Sequence, residues 1–411
     1  MFSGTTPIDP AQTSFRLPTK AVFTKNTKSA HLCCFWRGQM PLDTNERFNH
    51  IHYVPILKWR QGEYQALWRL SDAAKQWITP LLEIPTEPWD FETETPAKSL
   101  DEHLERFGNR LKSKWDTRRC FIDSCYIDGV AQMSTGQHHL EFLFEQARNE
   151  GASPIPVTGL GRHPDYDAAV HNIVAQDQRG ACVRLSAEDF SASILNDLQN
   201  LFARLNVGPP DSHLVIDMAE DISGSPVAQG LAWKALLQQT PWLNDWKSVT
   251  VAATAFPSAL PAAQFRPHGL TPRTEWNAYN ALLTNLGGLR IPTFGDYSVS
   301  HPQTELLDPR VLDPNAKIKY TVDGEWLVHT GAQVKKHGRG QFQGLCQELI
   351  ANPSAAFPGP TYSWGDAYIH GCASGTETTG GTSTWPSVGN NRHITKVIRD
   401  VATLFGSSTI P

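Results

Sequence analysis

A (β/α)8 barrel, carrying a β-hairpin insertion and a C-terminal helical lid, is the fold predicted by three observations. From Ile51 onward, short apolar and β-branched runs alternate with amphipathic stretches, the pattern of repeated βα units around a parallel sheet. The runs begin at positions 53, 78, 120, 154, 181, 213, 248 and 291, about 34 residues apart on average, and eight units of that size match a barrel of ~250 residues. The length of 411 residues allows either two or three domains or one large barrel with additions. A doubly wound open sheet is the competing architecture, though it does not need eight evenly spaced units.

The elements follow in order. YVPILKW (53–59) is a strand, and 63–76 a helix with Tyr64, Leu67, Trp68 and Leu70 on one side. ITPLLEIP (78–85) is the second strand. The helix 99–115 follows it, opened by a capping box between Ser99 and Glu102. CFIDSCYI (120–127) leads to a helix over 136–150 that ends at Gly151, a natural C′ residue. PIPVTGL (154–160), ACVRL (181–185), HLVIDMA (213–219) and the run 248–256 are each followed by a helical stretch, and IPTFGDY (291–297) is the eighth strand. KIKYTVDGEWLVH (317–329) reads as a hairpin turning at Asp323-Gly324. The helix 340–351 then supplies the eighth helix, and a Gly/Thr/Ser-rich loop over 371–383 precedes a last helix at 390–405. Residues 1–50 lack sustained periodicity and read as an irregular extension ahead of a domain at 51–411, in which 303–411 holds the hairpin, eighth helix and C-terminal segment.

Composition removes several function classes. The 36 basic and 41 acidic side chains give a net charge of −5, which offers no global reason to bind nucleic acid or an acidic membrane. The seven cysteines are odd in number, dispersed and without a Cys-x-x-Cys pair, unlike a zinc ribbon or disulfide scaffold. No run approaches the ~20 apolar residues of a membrane span, and the expected compartment is the cytoplasm.

Barrel chemistry sits where the strands end. Polar residues near those ends are Lys58 and Arg60, Glu83, Asp123 and Asp128, Thr158, Arg184, Asp217 and Glu220, Thr254, then Asp296 and Tyr297, a ring of mixed charge. Buried alone, each is costly, so each is expected to be paired, solvated or bound to ligand. An internal salt-bridge network between strands is the structural alternative. A metal-dependent amidohydrolase is excluded, because His50-Ile51-His52 precedes its strand and lies at the wrong face. Glycosidase carboxylates are missing after strands four and seven. Lys58 as a Schiff-base lysine for pyridoxal phosphate rests on one residue, for which an ion pair is the simpler role. Glu83, Asp123, Asp217 and Asp296 suit a divalent cation such as magnesium. Lys58, Arg60 and Arg184 suit a phosphate. Trp364 and Trp385 are lid candidates.

YVPILKWRQGEYQAL followed by ITPLLEIP resembles the "beta protein" family, named after a phage protein. The resemblance continues through LVIDMA, TFGDYSVSHP, IKYTVDGEWLVH, YSWGDAYI and WPSVGNNRHITKVIRDVA, and so spans most of Tyr53 to Ala402. It implies a barrel-like domain in a phage or mobile-element context, with no established reaction. Its pattern points to Lys58, Gly62, Glu63, Glu83, Asp217, Gly295, Asp296, Tyr297, Gly365, Asp366, Asn391 and His393. The family pattern carries Arg-Gly after the hairpin and paired histidines in the last motif, where this chain has Thr330-Gly331 and Arg392-His393.

Together these readings give an expected mouth site. Lys58, Glu83, Asp217, Asp296 and His393 are the catalytic candidates, with His393 as acid/base because its ordinary pKa lies near neutrality. Arg60, Asp123, Arg184, Tyr297, Trp385 and Asn391 are the ligand-binding candidates. The expected ligand is a small anion, hydrolysed as a phosphoester with a divalent cation. A non-catalytic interaction protein of a phage or antiphage system is the rival, with a protein partner in place of the ligand.

Overall fold

Eight parallel strands close into a barrel: β1 (Tyr53–Lys58), β2 (Leu81–Glu83), β3 (Phe121–Asp123), β4 (Ile155–Thr158), β5 (Cys182–Leu185), β6 (His213–Asp217), β7 (Ser248–Ala253) and β8 (Thr293–Asp296). Each pairs with its sequence neighbours, and β8 returns to β1 through Tyr53 opposite Phe294. The computed structural model describes residues 48–220, 222, 224–258, 269–303, 308 and 310–407, so the expected N-terminal extension lies, up to position 47, outside the described residues.

Strand alternation sorts the side chains into two layers. Val54, Ile56, Leu81, Phe121, Val157 and Val215 fill the barrel interior. Tyr53, Leu57, Leu82, Ile122, Val183 and Phe294 face outward and join the large core beneath the helices. Among the described residues, seven helices of eight residues or more alternate with the strands: α1 (Gln61–Trp68), α2 (Phe107–Trp115), α3 (His139–Asn149), α4 (Pro164–Asp177), α5 (Ile194–Leu205), α6 (Pro226–Gln239) and α7 (Thr274–Asn285). The capping box at Ser99 forms as expected, but it opens a short helix, Leu100–Leu104, that is separate from α2.

After β8 come the hairpin β9 (Asn315–Val322) and β10 (Glu325–Gln333), then α8 (Gln341–Ala351), α9 (Trp364–Ser374) and α10 (Thr384–Leu404). The hairpin turns at Asp323-Gly324, where Gly324 takes the left-handed φ of 66° that such a turn requires. The short strand Gly269–Pro272 pairs with β10.

The eighth helix is not the expected one. α8 packs on the inner face of the hairpin, its Phe342, Leu345 and Leu349 meeting Ile318, Tyr320 and Leu327 in a satellite core. α10 instead lies against α1 and β1, and its Ile394, Val397, Ile398 and Val401 belong to the barrel core. The first turns of α10 contribute Trp385 and Val388 to the satellite core. One helix of 21 residues therefore stitches two cores together. It starts earlier than expected because Pro386 is tolerated in a first helical turn. α10 is part of the barrel wall, and Trp385 in its first turn stacks on Phe342 at 4.4 Å and donates its indole N–H to the Thr379 carbonyl. α9, not anticipated from the sequence, is capped by Ser363, whose Oγ accepts the Asp366 N–H.

Close backbone approach fixes α10. A Cβ at Gly62 of α1 would stand 2.6 Å from Pro386 Cβ, and one at Gly365 of α9 would stand 2.6 Å from the Val388 carbonyl oxygen. Asn391, fully buried, accepts the Gly365 N–H through Oδ1 and donates Nδ2 to the Ala66 carbonyl, bridging three helices. No helix among the described residues is long and apolar enough to cross a membrane. Asn391→Ala leaves two buried backbone groups without partners, so the folded state is expected to lose about 2–4 kcal/mol. Urea unfolding measures this, and a loss below about 0.5 kcal/mol would remove Asn391 from the account.

Candidate functional site at the barrel mouth

The interior face of the C-terminal strand ends is polar. Lys58, Glu83 and Asp123 are successive register partners on β1, β2 and β3 and stand side by side. Arg184 on β5 and Asp217 on β6 close the circle, with Tyr297 just past β8. Arg184 lies at the centre. Its Nη1 donates to Asp123 Oδ2 at 2.8 Å, its Nη2 to Glu83 Oε1 at 2.8 Å, and its Nε to Asp217 Oδ2 at 2.9 Å. The Tyr297 hydroxyl accepts from Arg184 Nη2 at 2.7 Å and donates to Asp217 Oδ2 at 2.6 Å. Gly159 after β4 makes room, since a Cβ there would stand 2.6 Å from the Arg184 carbonyl oxygen.

Two side chains complete this network without having been anticipated. Arg162 in the loop after β4 donates to Asp123 Oδ1 at 2.8 Å, and Tyr126 after β3 donates to Glu83 Oε2 at 3.2 Å. Ala219 N–H occupies Asp217 Oδ1 at 2.9 Å. All carboxylate oxygens of Glu83, Asp123 and Asp217 thus accept hydrogen bonds. Charge follows burial and pairing. Burial favours the neutral acid at Asp123, but Arg162 and Arg184 outweigh it and hold the carboxyl below its usual range. At Glu83, burial prevails over Arg184 and raises the carboxyl.

Lys58 reaches the rim of this network. Its ammonium donates to the carbonyls of His301 and Pro302, at 3.0 and 2.5 Å, and burial lowers its pKa against the pull of Glu83. The Pro302 carbonyl also accepts from Tyr126, and Gln303 bonds to Glu220 beyond β6. The segment after β8 therefore straps the mouth from the β1–β3 side to β6, the position expected of the C-terminal segment. Beside it, Lys319 of β9 donates to the Val299 carbonyl at 2.7 Å and lies over the Phe256 ring. Burial lowers Lys319 to about 8, against the opposite charge of Glu63. Arg60 is exposed at the start of α1.

Asp296 and His393 do not join this group. Asp296 has the outward parity of Phe294, while its neighbour Tyr297 turns inward. Its Oδ1 accepts from Tyr53 and the Ser298 N–H, and its Oδ2 from His393 Nε2 at 2.9 Å. The Asp296 carboxylate can only accept, so Nε2 carries the proton, and Nδ1 faces the Thr321 hydroxyl at 2.9 Å. Burial lowers the His393 pKa, with Asp296 opposing, so the ring is a neutral donor. The expected single constellation is therefore two: a mouth group holding Lys58, Glu83 and Asp217, and a buried lock holding Asp296 and His393 between barrel wall, hairpin and α10. Trp385 and Asn391, expected to bind ligand, sit in the satellite core and among helices α1, α9 and α10.

Arg273 and Glu275, also unanticipated, extend the lock. Both are fully buried, 3.6 Å apart, and Arg273 also reaches Asp400 of α10 at 3.3 Å. Arg392 lies between the rings of Tyr320 and Tyr362, 3.5 Å from Asp366. Among the described residues no group of three His, Cys, Asp or Glu side chains is arranged to hold a metal ion.

Replacing Arg184 with Met strands three buried carboxylates, and a loss of about 3–5 kcal/mol at neutral pH is expected by urea unfolding. A variant as stable as the parent would show that the carboxylates do not depend on it. Glu275 gives a pH signature. Burial raises its carboxyl to about 8 despite Arg273, whereas the unfolded chain releases that proton at about 4.3. The native state then holds the extra proton, so its stability declines as pH rises from about 4.3 to about 8 and levels off above. Glu275→Gln should remove that component, so its stability relative to the parent rises across this window by up to about 1.4 kcal/mol per pH unit. Parallel pH–stability curves would contradict the assignment.

The chain aligns with the carboxyl transferase domain of Rhizobium etli pyruvate carboxylase at 13% identity and a TM-score of 0.29, covering 61% of this chain and 40% of that one. It aligns with triosephosphate isomerase from Bartonella henselae at 8% identity and a TM-score of 0.29, covering 59% of this chain and 90% of that one. A 3-hexulose-6-phosphate synthase aligns at 12% identity and a TM-score of 0.29, covering 59% and 87%. Likenesses this low say nothing about activity. No curated protein matches the chain in sequence. The model of the Beta protein family matches residues 53–399, from the first residue of β1 to the last turns of α10, and the chain belongs to that family.

Proposed function

We propose that the barrel mouth binds a small anionic molecule, held from the rim by Lys58, Arg60 and Arg162 above the carboxylate-braced Arg184. One observation carries this reading: polar side chains from β1, β2, β3, β5, β6 and the end of β8 converge on the interior of the C-terminal strand ends. Packing alone favours apolar residues there, and barrel sites are built at this face. The engaged carboxylate oxygens favour a ligand held by cations over phosphoester hydrolysis on a divalent metal, because a metal would have to displace Arg162, Arg184 or Tyr126. Lys58, beside Glu83 in the strand register, and Tyr297, bonded to Asp217, are the groups placed to orient the ligand or move a proton.

The same saturation favours a second reading. A network whose members satisfy one another also suits a rigid, non-catalytic interaction protein of a phage or antiphage system. Thermal denaturation with inorganic phosphate, sugar phosphates and dicarboxylates, each with and without magnesium, separates the two. A ligand at 100 times its dissociation constant adds about 2.7 kcal/mol. That gain is expected without magnesium and is expected to vanish in Lys58→Ala and Arg60→Ala. Magnesium-dependent stabilisation would instead support metal-assisted chemistry. No stabilisation by any class would leave the interaction protein as the function.

A further inference from the structure

A second candidate site lies on the outer wall, away from the mouth. A cleft of about 760 Å3 runs between the end of α1, the segment 358–364 leading into α9, and the second half of α10. Its size falls within the ~300–1,000 Å3 of small-molecule sites. Two features set its chemistry. Its lining includes Arg69 and Arg399 and no Asp or Glu, in a chain whose net charge is −5. Both guanidinium groups lie over aromatic rings of the same cleft: Arg69, which also donates to Gln65 Oε1, is 4.4 Å from the Trp364 ring, and Arg399, which also donates to the Tyr362 carbonyl, is 4.0 Å from the Tyr362 ring. A guanidinium is planar and keeps its N–H groups in the plane, so an edge left beside a ring can meet phosphate oxygens in two-point fashion.

The surroundings extend this character. Trp68, half exposed, carries Arg69 at 4.7 Å on its ring and Lys114 of α2 at 4.5 Å. Pro358 and Pro360 add flat apolar surface to the cleft, and the Thr395 hydroxyl lies on its α10 wall. Flat apolar surface set beside cations suits a base and its phosphate together.

We propose that this cleft binds a nucleotide unit, its phosphate held by Arg69 and Arg399 and its base laid against the Pro358 and Pro360 surface. The unit has two sources, a free mononucleotide or the single-stranded end of a nucleic acid, and its recognition chemistry is shared. This site is separate from the mouth, and its occupancy does not depend on the anion reading there.

The test is a titration of the full chain with ATP and, separately, with a ten-nucleotide single-stranded DNA, followed by calorimetry and tryptophan fluorescence. The parent is compared with Arg69→Glu, with Thr395→Glu, and with Arg60→Ala at the mouth. Binding weakened roughly tenfold or more by both cleft variants, and unchanged by Arg60→Ala, is expected. Saturation by ATP identifies the free nucleotide as the source, and saturation by the oligonucleotide alone identifies the nucleic-acid end. Unfolding curves of both cleft variants must match the parent in cooperativity; Thr395→Glu, which removes no cation, gives the test if Arg69→Glu does not fold. No binding of either probe up to about 5 mM, or binding that persists in a folded cleft variant, would overturn the proposal. Binding abolished by Arg60→Ala instead would move the nucleotide to the mouth and overturn it as well.

Discussion

One guanidinium sets the terms of the barrel mouth. Arg184 stands among Glu83, Asp123 and Asp217, which come from three other strands, and donates to all three. Three carboxylates this close and this buried repel one another and lose hydration, and a shared cation is what allows them to coexist. The rest of the mouth is arranged around that fact. Arg162 takes the second oxygen of Asp123, Tyr297 the shared oxygen of Asp217, and Tyr126 the free oxygen of Glu83. Tyr126 also meets the Pro302 carbonyl that accepts from Lys58, so the network passes directly into the strap over the mouth.

A second constraint acts on the opposite side of the barrel wall. The C-terminal helix fills the eighth position, and because it arrives after the hairpin, α8 and α9, it must be secured to elements distant in sequence. The bonds of Asp296 to Tyr53 and His393, and of Asn391 to Ala66 and Gly365, do this with side chains that are almost wholly buried. Most residues highlighted by the family pattern in the last motifs therefore hold architecture. Gly62 and Gly365 belong with them, as points of backbone contact with α10. The mouth and the lock meet at Asp296-Tyr297, adjacent residues that alternation sends to opposite faces of β8.

The barrel was legible because its strands start with regular spacing and are bounded by helical periodicity, both properties of local sequence. Glu83, Asp123, Arg184 and Asp217 were legible as a polar ring for the same reason: each ends a short apolar run. What escaped was side-chain direction within one residue of a strand end, which separated Asp296 from Tyr297. Arg162 escaped because it lies in a loop, four positions past its strand. The choice of α10 over α8 as eighth helix depends on which apolar face meets α1, a long-range fact carried by Gly62 against Pro386 and by no periodicity. Arg273 and Glu275 follow a strand that pairs with the hairpin, so their burial is invisible until the hairpin is placed.

The claim on which the mouth stands is that Arg184 and its carboxylates form one coupled unit. A double-mutant cycle in urea unfolding, with Arg184→Met, Asp217→Asn and the pair, measures it directly. The account predicts a coupling energy of about 2 kcal/mol or more, with the double variant more stable than Arg184→Met alone because one stranded charge is gone. Additive effects, within about 0.5 kcal/mol, would contradict it.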